Sequence, residues 1–281
     1  MIIIRSALRA ATSALASFQT SDLDAQVLLA HALGAERVYL LANGELELSA
    51  MQLRCFTDLI NRRAAGEPVA YILGSKSFYD LELTVTPEVL IPRPETELLL
   101  EEALRLAALT PARHVADIGT GSGALAVTFA KHMPSSRVYA TDISEDALKI
   151  AQENAKRHSV CIEFLQGNLT QPLIERRVTV DLVMANLPYI ATSDLDDLAV
   201  SKYEPALALD GGVDGLACVR RALRQIPQCC HAGAWVLMEI GADQADIVRR
   251  LVGETLNARC DVLPDYAGLD RIVRFQIGAG P

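Results

Sequence analysis

From Pro111 onward the chain alternates between short apolar runs and segments with helical spacing. The run at residues 180–185 is continuous rather than alternating in its apolar residues, which is typical of a parallel strand buried on both faces. Strands that alternate with helices form a mostly parallel sheet with helices on both faces. The last two strands lie close together across a turn that contains Gly268, which predicts an antiparallel edge strand. The predicted strands are 114–118, 137–141, 162–165, 180–185, 234–240, 259–263 and 271–277.

The part of the chain before this alternation is helical. Ser21 and Asp24 form a pattern similar to a capping box at the start of a helix, and Gly34 is suited to end that helix. Apolar residues at helical spacing predict another helix over residues 49–65. From residue 77 to residue 91 the apolar period changes to two, which predicts a short hairpin.

These changes of pattern divide the chain into three parts. We predict a small all-α bundle over residues 1–74, a hairpin linker over 75–92 and a sheet domain over 93–281. Pro94 is acceptable in a first helical turn, and Glu95 favours the positive end of the helix dipole, so a long helix is expected to open the third part.

Composition excludes several classes of protein. The chain has 281 residues, of which 51% are hydrophobic, so it can bury a sizeable core. Its formal net charge of -9 argues against broad attraction to nucleic acid. Six cysteines without a C-x-x-C pair or metal-ligand spacing predict reduced thiols and no metal site. No stretch approaches the roughly 18 apolar residues of a membrane span, so we expect a cytoplasmic protein without membrane contact.

A glycine-rich loop follows the predicted strand at 114–118 and opens a helix over 124–131. Glycines let the backbone turn tightly and approach a ligand that Cβ atoms would block. Asp142 ends the next strand, where a carboxylate can accept hydrogen bonds from both hydroxyls of a ribose. Together these features predict a nucleotide-like pocket, with an ordinary strand-to-helix turn as the alternative. The loop residues are Asp117, Ile118, Gly119, Thr120, Gly121, Ser122 and Gly123.

A second candidate segment, Asn186-Leu187-Pro188-Tyr189, follows the strand at 180–185. Open α/β sheets bind their ligands at the carboxyl ends of strands. An asparagine amide can accept a hydrogen bond from a substrate N–H, a proline stiffens the turn, and a tyrosine ring offers a flat wall for a planar group. The segment therefore suits a planar nitrogen nucleophile such as an amide or an adenine amine.

The G-x-G-x-G loop differs from the dinucleotide pattern and lacks a Walker lysine. It resembles motif I of class I S-adenosylmethionine-dependent methyltransferases. This resemblance implies a Rossmann-like, seven-stranded, mostly parallel sheet that binds S-adenosyl-L-methionine and releases S-adenosyl-L-homocysteine. It also implies that the residues after the third strand line the adenine. The cofactor-binding residues expected from it are Gly119, Thr120, Gly121, Ser122, Gly123, Asp142, Asn168, Leu169 and Asn186.

Nearly the whole chain resembles one methyltransferase family, the release factor glutamine methyltransferases (PrmC, also called HemK). The matching segments are 24–31, 66–68, 71–74, 91–97, 204–212, 214–216, 239–241, residue 244 and 266–271. The resemblance implies methyl transfer to the side-chain amide nitrogen of the Gln in the Gly-Gly-Gln motif of peptide chain release factors. It further implies a helical domain that recognises this protein substrate, a monomer, and no direct contact with nucleic acid.

By the same resemblance, the Asn186 side chain and the Leu187 carbonyl accept the two hydrogens of the target amide, while Pro188 and Tyr189 shape the site. The family usually has Asn-Pro-Pro-Tyr, so Leu187 is a departure that keeps the carbonyl but puts the rigidity of the loop in question. Asn-Leu-Pro-Tyr is also typical of ribosomal RNA adenine dimethyltransferases.

Two alternatives therefore stay open. The first is an adenine-amine methyltransferase acting on ribosomal RNA or DNA. Residues 1–85 carry slightly more acidic than basic side chains, which is unfavourable for docking RNA. The second is a catalytically silent, cofactor-binding interaction protein, which the change to Leu187 would allow.

Overall fold

The computed structural model describes residues 2–278, which form two compact units. The first unit extends to Ser75 and the second begins at Lys76. Each unit contains its own cluster of buried apolar side chains. Within the described part of the chain, no helix is both long enough and apolar enough to cross a bilayer.

The first unit is a bundle of helices around a small apolar core. Gly34 ends the second helix with φ 61°, in the left-handed region that favours glycine, as the sequence predicts. The core of this unit includes Leu15, Leu28 and Phe56. Its helices are α1 (Ile4–Ala14), α2 (Ser21–Leu33), α3 (Arg37–Ala42), α4 (Ala50–Ala64) and α5 (Val69–Leu73).

The capping box predicted at the start of α2 is wrong. The residue before α2 is Thr20, and its side chain makes no capping hydrogen bond. The carboxylate of Asp24 instead accepts a hydrogen bond of 2.7 Å from Nε of Arg63 on α4, so it ties the two helices together. The capping box of this unit lies at α4, where Ser49 and Gln52 bond each other's backbone N–H groups.

The hairpin is shorter than the period-two pattern predicts. Its strands are β1 (Ser75–Phe78) and β2 (Leu81–Thr84), and no strand continues to residue 91. At Thr84, the last residue of β2, the backbone N–H and C=O are bonded by the side chain of Asn154 and not by another strand. The side chain of Asn154 accepts from Thr84 N at 2.7 Å and donates to Thr84 O at 2.9 Å, in the manner of a neighbouring strand.

The second unit alternates strands and helices as predicted. Pro94 occupies the first turn of its first helix, with Glu95 in the same turn. The strands are β3 (His114–Ile118), β4 (Arg137–Asp142), β5 (Ile162–Gln166), β6 (Val180–Ala185), β7 (Cys230–Glu239), β8 (Cys260–Pro264) and β9 (Asp270–Gln276). The helices are α6 (Pro94–Leu109), α7 (Ala124–His132), α8 (Glu145–Arg157), α9 (Gln171–Glu175), α10 (Ala206–Leu209), α11 (Ala217–Gln225) and α12 (Ala245–Leu256), with 3₁₀ turns at Thr192–Asp197, Ala199–Lys202 and Ile226–Cys229.

The seven strands form one sheet in the order β5-β4-β3-β6-β7-β9-β8. The first five strands in this order run parallel to one another. Strand β9 is antiparallel to both of its neighbours, β7 and β8. The predicted fold class is therefore confirmed, but the antiparallel strand is not at the edge. The hairpin between β8 and β9 inserts β9 beside β7 and leaves β8 outermost.

Strand β6 is buried on both faces. Val183 and Ala185 belong to the apolar cluster on one side of the sheet, and Leu182 and Met184 belong to the cluster on the other. The continuous apolar pattern thus correctly indicates a central parallel strand. At the carboxyl end of the sheet, Ile118 of β3 lies between Thr141 and Ala185 of its neighbours, so the loops that follow three strands meet there.

Candidate active site

A cleft of about 210 Å³ opens where the loops after β3, β4 and β6 meet. This is the position expected for a ligand site, because the strand order reverses direction around β3. Most of the residues selected from the sequence come together in its lining, whereas Gly123 and Tyr189 do not belong to it. The selected residues that line the cleft are Gly119, Thr120, Gly121, Ser122, Asp142, Asn168, Leu169, Asn186, Leu187 and Pro188.

The glycines of the loop serve two different purposes. Gly121 has φ 55°, and an added Cβ would meet nothing within 4 Å, so its place in the loop depends on backbone conformation. Gly123 has φ 82°, and an added Cβ would lie 3.1 Å from side chains of Val127 and Ala151. Gly123 therefore allows α7 to pack closely on α8 and does not reach the cleft.

Beneath the loop, Asp117 is almost completely buried. Its Oδ2 accepts hydrogen bonds from Thr120 Oγ1 at 2.6 Å and from Ala126 N at 3.1 Å. Burial raises the pKa of the Asp117 carboxyl to about 7, although both hydrogen bonds oppose the shift and the nearby Asp142 adds to it. This carboxyl fixes the loop to the first turn of α7.

Asp142 holds the loop from the other side. Its Oδ2 accepts from Gly121 N and its Oδ1 accepts from Ser144 N, each at 2.9 Å. Burial raises the pKa of this carboxyl, and these backbone N–H groups oppose the shift. A carboxylate offers about four acceptor positions, so both oxygens of Asp142, which lines the cleft, keep capacity for further donors.

Asn168 also lies in the lining of the cleft. Its Oδ1 accepts a hydrogen bond of 3.2 Å from Nη1 of Arg221. The side-chain oxygen of this residue, which the resemblance places beside the adenine, thus already contacts a guanidinium. Arg221 also lines the cleft, and nothing in the sequence pattern marked it.

Asn186 is anchored by a chain of hydrogen bonds that begins in the core. Its Nδ2 donates to Thr96 Oγ1 at 2.9 Å, and Thr96 Oγ1 donates to Glu239 Oε2 at 2.6 Å. Thr96 and Glu239 are 4% and 1% exposed, respectively. Burial raises the pKa of Glu239, while the Thr96 hydroxyl and the positive charge of Arg271 oppose the shift.

Tyr189 reaches the same carboxylate from the other side. Its hydroxyl donates to Glu239 Oε1 at 3.3 Å, and its backbone carbonyl accepts from Gln244 Nε2 at 2.9 Å. Burial and the neighbouring Glu239 raise the pKa of the phenol to about 12, so the hydroxyl keeps its proton at neutral pH. The position of the ring is therefore set by contacts on both sides, beside the cleft.

Leu187 is packed rather than loose. Its side chain is 3% exposed, and its Cδ2 lies 3.2 Å from the place where a Cβ on Gly119 would stand. The side chain belongs to the apolar cluster on one face of the sheet. Burial of Leu187 thus supplies a restraint on the loop where the resembled family usually has proline.

A half-buried ion pair, with Glu204 buried and Arg93 partly exposed, joins two segments beside the cleft. Arg93 Nη2 lies 2.7 Å from both carboxylate oxygens of Glu204. Burial raises the pKa of Glu204, and the charge and hydrogen bond of Arg93 oppose the shift. The pair connects the residues before α6 to the segment that leads into α10.

Comparison with known proteins identifies the family. The profile of the PrmC N-terminal domain matches residues 6–74, and that of a methyltransferase domain matches residues 115–204. The release factor glutamine methyltransferase of Geobacter sulfurreducens is 41% identical over 92% of this chain and 91% of its own. That of Moorella thermoacetica is 44% identical over 89% of each chain. The chain belongs to the release factor glutamine methyltransferase family.

A solved structure agrees with the fold of this family member. A methyltransferase from Pyrococcus furiosus covers 80% of this chain and 98% of its own, with 17% identity and a TM-score of 0.52. At that identity the likeness concerns the fold alone. It agrees with a Rossmann-like fold for the sheet domain. The methyltransferase-domain profile and the membership of the release factor glutamine methyltransferase family show that the chain is an enzyme of the methyltransferase class.

No sequence pattern identified several of the residues that shape the site. Thr96 and Glu239 lie in segments that carry the resemblance to the release factor glutamine methyltransferases, but no pattern assigned a task to either side chain. Their positions 90 and 53 residues from Asn186 show that only the fold brings them together. Among the described residues, no group of three or more His, Cys, Asp or Glu side chains is arranged to hold a metal ion.

Proposed function

We propose that this enzyme transfers the methyl group of S-adenosyl-L-methionine to the side-chain amide nitrogen of the Gln in the Gly-Gly-Gln motif of peptide chain release factors. The observation that carries the proposal is the anchored amide of Asn186, which stands beside a glycine loop in a cleft at the carboxyl end of the sheet. The curated relatives named for this activity, at up to 44% identity over most of the chain, support it.

The cleft fits the cofactor. The glycine loop lets a ligand approach its backbone closely, and the carboxylate of Asp142 offers acceptors for two ribose hydroxyls. Asn168 offers a polar contact for adenine, and Leu169 offers an apolar one. When bound, S-adenosylmethionine supplies a methyl group activated by a positively charged sulfur. The product is S-adenosylhomocysteine.

The substrate amide is a poor nucleophile because its nitrogen lone pair is delocalised into its carbonyl. Asn186 Oδ1 and the Leu187 carbonyl accept its two N–H hydrogens and hold its plane. As the nitrogen gains the methyl group it also gains positive charge, which these two acceptors stabilise through the same hydrogen bonds until one N–H proton leaves to solvent water. Alignment of this kind is worth about 7 kcal/mol or more in favourable systems, so no strongly basic side chain is required.

The helical first unit is proposed to recognise the protein substrate. It matches a profile of the PrmC N-terminal domain, and it exposes large apolar side chains that its own core does not use, including Val38, Leu41 and Met51. Exposed apolar surface of this kind is typical of sites that bind another protein. This assignment leaves the second unit to perform the chemistry.

Mass spectrometry of a release factor co-expressed with the enzyme tests the proposal. We expect a gain of one CH₂ group, localised to the Gln of the Gly-Gly-Gln tripeptide. Incubation with labelled cofactor and either release factor or ribosomal RNA then separates this function from adenine methylation. Label in RNA alone would overturn the proposal, and cofactor binding without any transfer would indicate a silent protein.

A further inference from the structure

The orientation of the Asn186 amide decides whether the site can bind a substrate N–H. An asparagine amide is planar, with an acceptor oxygen at one end and a donor nitrogen at the other. If Nδ2 faced the cleft, it would present hydrogens to the hydrogens of the target amide. The two flipped orientations of the Asn186 amide have nearly equal shape, so other contacts must select the one with the oxygen facing the cleft. This requirement rests on the proposed function.

The contacts of Thr96 provide that selection. A hydroxyl carries a single hydrogen and two lone pairs. The hydrogen of Thr96 is donated to Glu239 Oε2 at 2.6 Å, so towards Asn186 its oxygen is left to act as an acceptor. Only the Nδ2 end of the Asn186 amide can satisfy that acceptor, and it does so at 2.9 Å.

Glu239 is suited to set the direction of this chain. It is 1% exposed and receives the Thr96 and Tyr189 hydroxyls on different oxygens, Oε2 and Oε1. A buried carboxylate is an acceptor, and leaving it unsatisfied is costly, so it holds the hydrogen of Thr96 on its own side. Each hydrogen bond is therefore donated in the same direction, from Asn186 to Thr96 and from Thr96 to Glu239.

We propose that Glu239 acts through Thr96 as a positioning residue that turns the Asn186 amide so that its carbonyl oxygen, and not its NH₂ group, faces the cleft. Neither Glu239 nor Thr96 exchanges a proton with the substrate. Their contribution is to remove the unproductive orientation before the substrate arrives, which raises kcat without adding a contact to the cofactor.

Substitution of Thr96 tests the inference. Thr96→Val keeps the branched shape and removes the hydroxyl, so we expect kcat for release factor methylation to fall about 10- to 100-fold, the scale of a misplaced reacting group. The Kd for S-adenosylmethionine is expected to stay unchanged. Thr96→Ser restores the hydroxyl and should recover most of the lost kcat, a rescue that loss of packing alone would not produce.

The matched control is Thr128→Val. Thr128 is fully buried in α7, and its hydroxyl has no hydrogen-bond partner within residues 2–278, so the same change there removes no contact of the site. We expect wild-type kcat for this variant. Equal losses in Thr96→Val and Thr128→Val, or a Thr96→Ser variant as slow as Thr96→Val, would overturn the inference.

A double substitution provides a second measurement. Glu239→Gln replaces a carboxylate, which in its ionised form only accepts hydrogen bonds, with an amide that can also donate, so it should lower kcat by itself. Adding Glu239→Gln to Thr96→Val should cost little more, because residues acting in one chain are not additive. Full additivity of the two losses would overturn the inference alone. A wild-type enzyme that leaves the release factor unmethylated would overturn the proposed function and this inference with it.

Discussion

The proposed chemistry depends on the side chain of Asn186. Asn186→Ala removes the proposed acceptor of the substrate hydrogens without touching the glycine loop, so methyl transfer should be abolished while S-adenosylmethionine still binds almost normally. Single-turnover kinetics with release factor and calorimetric titration of the cofactor measure the two effects separately.

Asn168→Ala is the matched control for this prediction. Asn168 lines the same cleft but contacts Arg221, on the side assigned to the adenine. Its loss should raise the KM for S-adenosylmethionine and leave kcat near the wild-type value. Retained full activity in Asn186→Ala would refute the role of that residue.

Leu187 gives a prediction about stability. Leu187→Ala empties space between Asn186 and the glycine loop that a buried side chain now fills, so we expect a loss of about 2–4 kcal/mol in the free energy of unfolding. Denaturant unfolding measures it. Leu207→Ala removes a side chain that is 57% exposed and should cost far less. Similar costs in the two variants would show that Leu187 does not brace the loop.

Sequence patterns identified some of the residues that line or support the cleft and missed others. Asn186 and Asp142 were found because they stand at the carboxyl ends of recognisable strands, which is a local signal. Thr96, Glu239 and Arg221 were missed because their tasks depend on partners distant in the chain. A threonine in a first helical turn or a glutamate at a strand end has many ordinary explanations, and only the three-dimensional contacts distinguish them.

Among the structural elements, the glycine loop gives a prediction about pH. The pKa of Asp117 is about 7 in the folded chain against 3.8 for an unperturbed aspartate. Between these values the unfolded chain binds fewer protons at this residue than the folded chain, so its contribution to stability falls as pH rises from about 4 to about 7. The size is a few kcal/mol, since one pH unit corresponds to about 1.4 kcal/mol.

Asp117→Asn isolates this effect. The variant has no group to titrate at that position, so the stability of the wild type relative to the variant should decline as pH rises through this window and be constant above it. Denaturant unfolding at a series of pH values measures the difference. A difference that stays constant across this window would show that the carboxyl is already charged in the folded chain, and would contradict the prediction.

The elements that were predicted well carry their signals locally. Pro94 in the first turn of α6 and Gly34 at the end of α2 mark helix boundaries whatever surrounds them. The start of β7 was missed by four residues, because its pairing with β6 shifts register between Cys230 and Trp235. The end of the hairpin was missed because the side chain of Asn154 substitutes for a strand.

For the whole molecule, the proposed role of the helical first unit in binding the release factor makes a prediction about substrate recognition. Leu41→Glu places a charge on α3 at a side chain that is 74% exposed, so the fold should tolerate it. If this surface contacts the release factor, the KM for intact release factor should rise several-fold. Methylation of a short peptide that contains Gly-Gly-Gln should be unaffected, because such a peptide reaches only the cleft.

Leu109→Glu serves as the control for that experiment. Leu109 ends α6 in the second unit and is 69% exposed, so the change in charge and burial is comparable. It should leave both KM values unchanged. Equal effects of the two substitutions on intact release factor would show that general charge repulsion, and not the helical unit, is responsible.

Helix α6 holds the Asn186 amide, the proposed acceptor of the substrate hydrogens, in place. The body of this helix is buried through Leu99, Leu100 and Ala103, while its first turn carries the hydroxyl that holds Asn186. The acceptor for the substrate is thus preorganised by the same packing that keeps the domain folded, so no loop closure or ordering entropy is needed to assemble it. Small movements of this helix axis will consequently be transmitted to the reacting nitrogen.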